Sequence, residues 1–247
     1  MLKIISCSKK FDFNYPVVIT PLKTNDKISK LTKNTIKRND FPFLWVSYES
    51  DNNRPTNIEL SLNELYSTYN QYPKYFIPID NNIELGRHFI DRLYESIIKS
   101  SEEIGYVYGN LEYKGEVSHK FPAVSFNLGK LLESNYISSN SMFKTDYVLE
   151  VELPKDESMK RLLDWALLIK LARYGYYGLN CTSANHIAHT TSENISSYGE
   201  ADYKKKYIEV YTNFIKPFIE ELKLQREINN KNKGTNALND KENLSLI

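Results

Sequence analysis

The residues best suited to chemistry stand at Asp80-Asn81-Asn82, where an apolar run of Tyr75, Phe76, Ile77 and Ile79 stops abruptly. Such a run reads as a short buried strand, and in open α/β sheets ligands sit at the carboxyl ends of strands. One carboxylate and two amide oxygens there can hold a hard divalent cation, which takes oxygen ligands and can bridge to a diphosphate. Asp and Asn equally suit a plain turn, and this stretch alone leaves both readings open. A second apolar run, residues 41–48 (FPFLWVSY), ends in the polar cluster Glu49-Ser50-Asp51-Asn52-Asn53. A third carboxylate, Asp164, lies inside an apolar helical pattern beside Trp165. A charge there is disfavoured unless it has a partner or a task, although a place near the helix start also complements the helix dipole.

These groups need a frame to hold them. Residues 15–20 (YPVVIT) form a near-continuous apolar, β-branched run suited to a central parallel strand. Helical spacing follows in 29–38, a strand in 41–48, a helix in 58–69 and the strand 75–79. A helix over 85–99, with Phe89, Leu93 and Ile97 on one face, then leads to a strand at 105–111. This β-α-β-α-β-α-β order predicts an open sheet with parallel strands. Beyond it come a hairpin over 112–124, a short helix in 125–133, a strand-like stretch at 136–143, and the strongest helix, 159–174, stopped by Gly175. A strand at 176–181 precedes a long helix over 203–228, in which Pro217 predicts a kink. From Asn229 the chain is polar and is expected to be disordered.

The chain has 247 residues, enough for one substantial core or a core with a small appendage. A net charge of +1 argues against a protein that mainly coats nucleic acid. Cys7 and Cys181 match no metal-ligand spacing. The start, MLKIISCSKK, is too short in its apolar part for a signal peptide, and no apolar run reaches the roughly 18 residues of a membrane span. A cytoplasmic protein is expected.

In their order along residues 15–195 these motifs resemble the family-2 glycosyltransferases, inverting enzymes with the GT-A fold. YPVVITPLKTND is similar to that family's first strand and Pro-containing loop, and LWVSYESDNN to the second strand with acids facing the nucleobase. SLNELYSTYNQYPKYFIPIDNN is similar to the helix and strand leading to Asp-x-Asp. SNYISSNSMF, LLDWALLIKLARYGY and ANHIAHTTSEN resemble the later Asn-x-Ile segment, the acid-bearing helix and a histidine loop.

The resemblance implies an α/β, Rossmann-like GT-A domain over 1–200, built on a mostly parallel open sheet flanked by helices. It also implies a helical extension over 201–228 and leaves 229–247 as a tail. Its implied activity is metal-dependent transfer of a sugar, with inversion, from a nucleoside-diphosphate sugar, UDP foremost. The acceptor hydroxyl would belong to a glycan, a small molecule or a modified nucleobase. Asp164 would be the catalytic base. Thr20, Pro21, Lys23, Glu49, Asp51, Asp80 and Asn81 would hold the donor, with Glu49 favoured over Asp51 as acceptor from the nucleobase N–H. Mn²⁺ or Mg²⁺ would sit on Asp80, Asn82 and His189, with His186 the alternative to His189. Ser139 and Asn140 would face the sugar or acceptor, although loop polarity explains them as well.

Three positions depart from the family pattern. The metal motif ends in the neutral Asn82, Leu163 stands where a Glu usually precedes the catalytic base, and the Arg or Lys often found near the loop histidine is missing, with Ile187 and Ala188 between His186 and His189. Two other readings stand beside this one. A nucleotidyltransferase usually has an early Gly-rich phosphate loop, and PLKTND contains no glycine. A degenerate, non-catalytic nucleotide- or carbohydrate-binding module has no need of Asp164.

Overall fold

The computed structural model describes residues 1–8, 11–116, 118–154, 162–190 and 200–227, with side chains in the last segment from 204. Three parallel strands make its centre: β1 (Leu2–Cys7) lies at the edge, and β2 (Val17–Leu22) pairs in parallel with both β3 (Leu44–Glu49) and β4 (Tyr75–Pro78). Helices α1 (Lys30–Lys37) and α2 (Arg54–Tyr69) are the crossovers between them. The chain continues through β5 (Ile83–Leu85), α3 (Phe89–Ile98), β6 (Ile104–Gly115), β7 (His119–Phe121), α4 (Leu128–Glu133) and β8 (Met142–Lys144). Then come α5 (Thr145–Val151), α6 (Leu163–Arg173), β9 (Tyr177–Thr190) and α7 (Glu200–Val210).

All the strands form one sheet in the order β1-β3-β2-β4-β8-β6-β9-β5, with β7 on β6. Strand β8 is antiparallel to both β4 and β6. It follows that β2, β3, β4 and β6 all run the same way, as the sequence predicts, and β9 is parallel to β6. The fold is therefore an open α/β sheet flanked by helices.

The apolar runs are buried on both faces, and alternation sorts their side chains. Val17, Ile19, Val46 and Phe76 join Ile58 and Leu62 of α2 and Trp165 and Leu168 of α6 in one core. Val18, Trp45 and Ile77 join Ile36 of α1 and Phe89 and Leu93 of α3 in the other.

Several expectations are corrected. Strand β1 was not expected; it pairs antiparallel with β3. The helix over 85–99 starts only at Phe89, because Ile83–Leu85 pairs with β9 and the Gly86 N–H donates to the Asn185 carbonyl at 2.9 Å. Of the 136–143 stretch only Met142 and Phe143 reach strand pairing, in a strand that runs on to Lys144, and α5 follows it unannounced. The histidine segment expected in a loop is strand, paired to β6 on one side and β5 on the other.

In the last helical stretch the turn before Pro217 widens to a π-turn, Tyr211–Ile215, closed by Lys216 N–H donating to Tyr211 O. A proline ring clashes with the carbonyl four residues back and cannot donate, and a wider turn accommodates both defects. Helix continues over 216–227. The tail expected to be disordered lies outside the described residues. Among those described, no helix is long and apolar enough to cross a membrane.

Candidate active site

The carboxyl ends of β2, β3 and β4 lie side by side, and the polar clusters of the sequence meet there. Two of them brace a loop. Glu49 accepts hydrogen bonds from Lys3 Nζ and the Asn25 N–H, both at 2.8 Å, and Asp51 Oδ1 accepts from the Thr24 N–H at 3.2 Å. The Lys3 hydrogen bond, with that of Asn25 next, holds the Glu49 carboxyl below its usual range. Both carboxylates thus fasten the segment after β2, which carries the exposed Lys23. Thr20 is buried and accepts from Trp45 Nε1 at 3.0 Å, while Pro21 is half-buried beside it.

Asn81 braces the same loop from the other side. Its Oδ1 accepts from Ser29 N–H at 2.5 Å, its Nδ2 donates to Lys27 O at 2.8 Å, and its own carbonyl accepts from Thr32 Oγ1 at 2.8 Å. The side-chain amide is therefore committed to loop geometry.

Asp80 meets a residue that the sequence reading did not single out. Arg54, the first residue of α2, donates from Nε to Asp80 Oδ1 at 2.7 Å, and one terminal nitrogen reaches Ser139 O at 3.4 Å. The cap of α2 sets the guanidinium in place: Asn53 Oδ1 accepts from Thr56 N–H at 2.9 Å, and Pro55 follows at the second helical position. Asp80 Oδ2 has only a long 3.5 Å contact from Asn140 Nδ2, which donates more closely to Pro78 O at 2.9 Å.

Beneath Asp80, Ser138 Oγ bonds His186 Nε2 at 2.8 Å and accepts from Asn140 N–H at 3.2 Å. Burial pushes the His186 imidazole down to about 4, against the opposing pull of the Asn110 backbone and of Asp80, so it is neutral at pH 7. Asn140 is itself buried, and Ser139 offers its carbonyl rather than its hydroxyl to Arg54.

Asp164 is the second residue of α6, in the first turn after the cap residue Leu162, whose φ of 63° is a left-handed conformation unusual for a bulky residue. It is half-buried and shares with Arg54, Pro78 and Ser139 a small cavity of about 20 Å³, room for about one water. Burial pushes its carboxyl up; Arg54 opposes the rise, and the negative Asp80 adds to it. Tyr113, raised first by burial, also responds to the fields of both Asp164 and Asp80. Asp80, Arg54 and Asp164 thus form one electrostatic cluster.

The expected cation ligands do not converge in the same way. His189 Nε2 bonds Glu84 Oε2 at 3.0 Å, and Asn82 Nδ2 donates to His189 O at 2.8 Å. No group of three or more His, Cys, Asp or Glu side chains that could hold a metal occurs among the described residues. A hard cation takes six or more oxygens and favours carboxylates, yet Asp80, the single carboxylate of the set Asp80, Asn82 and His189, is ion-paired to a guanidinium. The donor set, judged by its chemistry, does not fit a divalent cation well.

Comparison with solved structures places this geometry in a known frame. S. aureus TarS 1–349 in complex with UDP-GlcNAc aligns at 13% identity and a TM-score of 0.54, covering 80% of this chain and 66% of that one. GalNAc-T7 with UDP, GalNAc and Mn²⁺ aligns at 10% identity and a TM-score of 0.52, covering 82% and 48% respectively. The fold is GT-A. Against another crystal structure of S. aureus TarS the chain spans only 44% of that chain. No family model matches the sequence, and no curated protein matches it.

Proposed function

We propose that this GT-A chain is an inverting glycosyltransferase that uses a nucleoside-diphosphate sugar, UDP-linked foremost, as donor. The observation that carries the reading is that Asp164 and Arg54, the ion-pair partner of Asp80, line one small cavity at the carboxyl ends of the central parallel strands. Ligands favour that end of an open α/β sheet. Structures of the same fold that contain UDP and UDP-GlcNAc add support.

In the reaction, Asp164 takes the proton of an acceptor hydroxyl as the hydroxyl oxygen bonds the anomeric carbon. The bond from that carbon to the diphosphate oxygen breaks, and the nucleoside diphosphate leaves with the electron pair. A carboxyl raised by burial is a stronger base than an exposed one, and Arg54 opposes the rise by favouring the ionised form. The loop over 23–29, braced by Glu49, Asp51 and Asn81, walls the nucleotide side, with Thr20, Pro21 and Lys23 along it. The acceptor is a hydroxyl compound: a glycan, a small molecule or a modified nucleobase.

A ligand that binds only the native state raises the melting temperature. In a thermal-shift screen, at least one nucleoside-diphosphate sugar should raise it by several degrees, and the matching nucleoside should not. Failure of every donor to shift it would overturn the reading. A shift without donor turnover would favour a binding module instead.

A further inference from the structure

We infer that Arg54, held in place by Asp80, is the cation that meets the donor's diphosphate, in the position where a divalent metal would otherwise be expected; this rests on the donor reading above. Four observations lead to it. Asp80 is the single acid of its motif, and its Oδ1 is bonded by Arg54 Nε at 2.7 Å. Asn82 is neutral and turns its Nδ2 to the His189 carbonyl. The His189 imidazole bonds Glu84. Arg54 also reaches Ser139 O through one terminal nitrogen and lines the same small cavity as Asp164.

The geometry gives each partner a distinct task. Bonding at Nε fixes the plane of the guanidinium and leaves donors of its fork for a ligand, which is how an arginine recognises phosphate oxygens in pairs. Asp80 is then a positioning residue. Arg54 is the group that touches the substrate, opposing the charge that develops on the departing diphosphate. A lysine has no Nε–H to engage Asp80 and no planar fork, so it replaces the charge without the alignment.

This reading and a metal reading predict opposite results for the same variant. If Asp80 were a metal ligand, Arg54→Gln would free its carboxylate and tighten Mn²⁺-dependent nucleotide binding. Under the present inference Arg54→Gln loses the diphosphate contact. The experiment is calorimetric titration of UDP, GDP and CDP into wild type, Arg54→Gln, Arg54→Lys and Asn82→Asp, each with EDTA and again with Mn²⁺. Wild type should bind one of the nucleotides with Kd equal within about threefold in the two conditions. Arg54→Gln should weaken it by about tenfold or more in both, Arg54→Lys should recover only part of that loss, and Asn82→Asp should gain nothing from Mn²⁺.

Wild-type binding that appears only with Mn²⁺ would overturn the inference while leaving the donor reading standing, and this arm needs no variant to fold. Tighter Mn²⁺-dependent binding by Arg54→Gln would overturn it too. Binding of no nucleotide in either condition would remove the donor reading and this inference together.

Discussion

At the scale of single residues, the half-buried Asp164 and the buried His186 are ionisable groups pushed in opposite senses. Burial raises the Asp164 carboxyl, so the folded state disfavours its charge more than the unfolded chain does. The stability that this group costs is therefore felt above its raised value and disappears as pH falls through it. Asp164→Asn removes the charge and keeps the shape. Its melting temperature should equal or exceed that of wild type at pH 7, with the difference closing in acid, while donor turnover falls by about 10²–10⁴-fold. Turnover within about threefold of wild type would remove Asp164 from the chemistry.

His186 shows the opposite sign. Its imidazole falls from 6.5 to about 4 through burial, opposed by the Asn110 backbone and, less, by Asp80. A depressed histidine contributes stability that is complete above the unfolded value and is lost as pH falls from about 6.5 to about 4, at most about 3 kcal/mol. Urea denaturation across that window should show this slope in wild type, and His186→Gln should flatten it. An unchanged slope in the variant would assign the acid sensitivity to other groups.

At the scale of elements, the site depends on how loops are fastened to strand ends. Asn81 joins the end of β4 to residues 27–32 through three hydrogen bonds. Asn81→Ala removes the two side-chain bonds and leaves the part-buried Ser29 N–H unpaired, which costs about 1–3 kcal/mol. It should also weaken nucleotide binding, because the loop that walls the cleft loses its tether. Chemical denaturation and donor titration on one preparation check both effects, and a variant as stable as wild type would show that the tether is dispensable.

The elements also explain what the sequence could and could not reveal. Asp80, Glu49 and Asp164 were legible because each interrupts or ends an apolar pattern, a local signal. Arg54 was not, since a single arginine within a polar cluster has no periodicity. A signal did exist: Asn53 as cap and Pro55 one residue into the helix start α2 at Arg54, where the apolar spacing alone suggested Ile58. His189 was read as a ligand from its place in the order of motifs, but its direction depends on β9 pairing with β5, a contact between distant segments. Strand β1 was missed for a related reason. Its burial pattern is weak, and its existence depends on the β3 edge that it covers.

At the scale of the whole molecule, the helical extension belongs to the core. Val210 and Ile215 are fully buried and Phe218 nearly so, all within the cluster that holds Trp165. Tyr207 packs on Trp165 at 5.6 Å between ring centroids, and Arg173 pairs with Glu221. Burying such side chains contributes about 1.5–3 kcal/mol each, and a domain of this kind is stable by only about 5–15 kcal/mol. Ending the chain at residue 199 should therefore give insoluble protein or lower the melting temperature by more than about 10 °C. A truncated chain with wild-type melting would make residues 1–200 an autonomous domain. The parallel run of β2, β3, β4 and β6 was legible because each strand carries its own apolar run, whereas the insertion of β8 between β4 and β6 is a long-range choice.

The central claim, that these parts transfer a sugar with inversion, is tested most directly by proton NMR of donor hydrolysis, with water standing in for the acceptor. Nucleoside-diphosphate sugars of α configuration, UDP-GlcNAc among them, are incubated with wild type and with Asp164→Asn, and the released sugar is read before it mutarotates. At least one donor should be cleaved by wild type with the β-anomer appearing first, and Asp164→Asn should release it about 10²–10⁴ times more slowly. First appearance of the α-anomer, or no cleavage of any donor by wild type, would contradict the account.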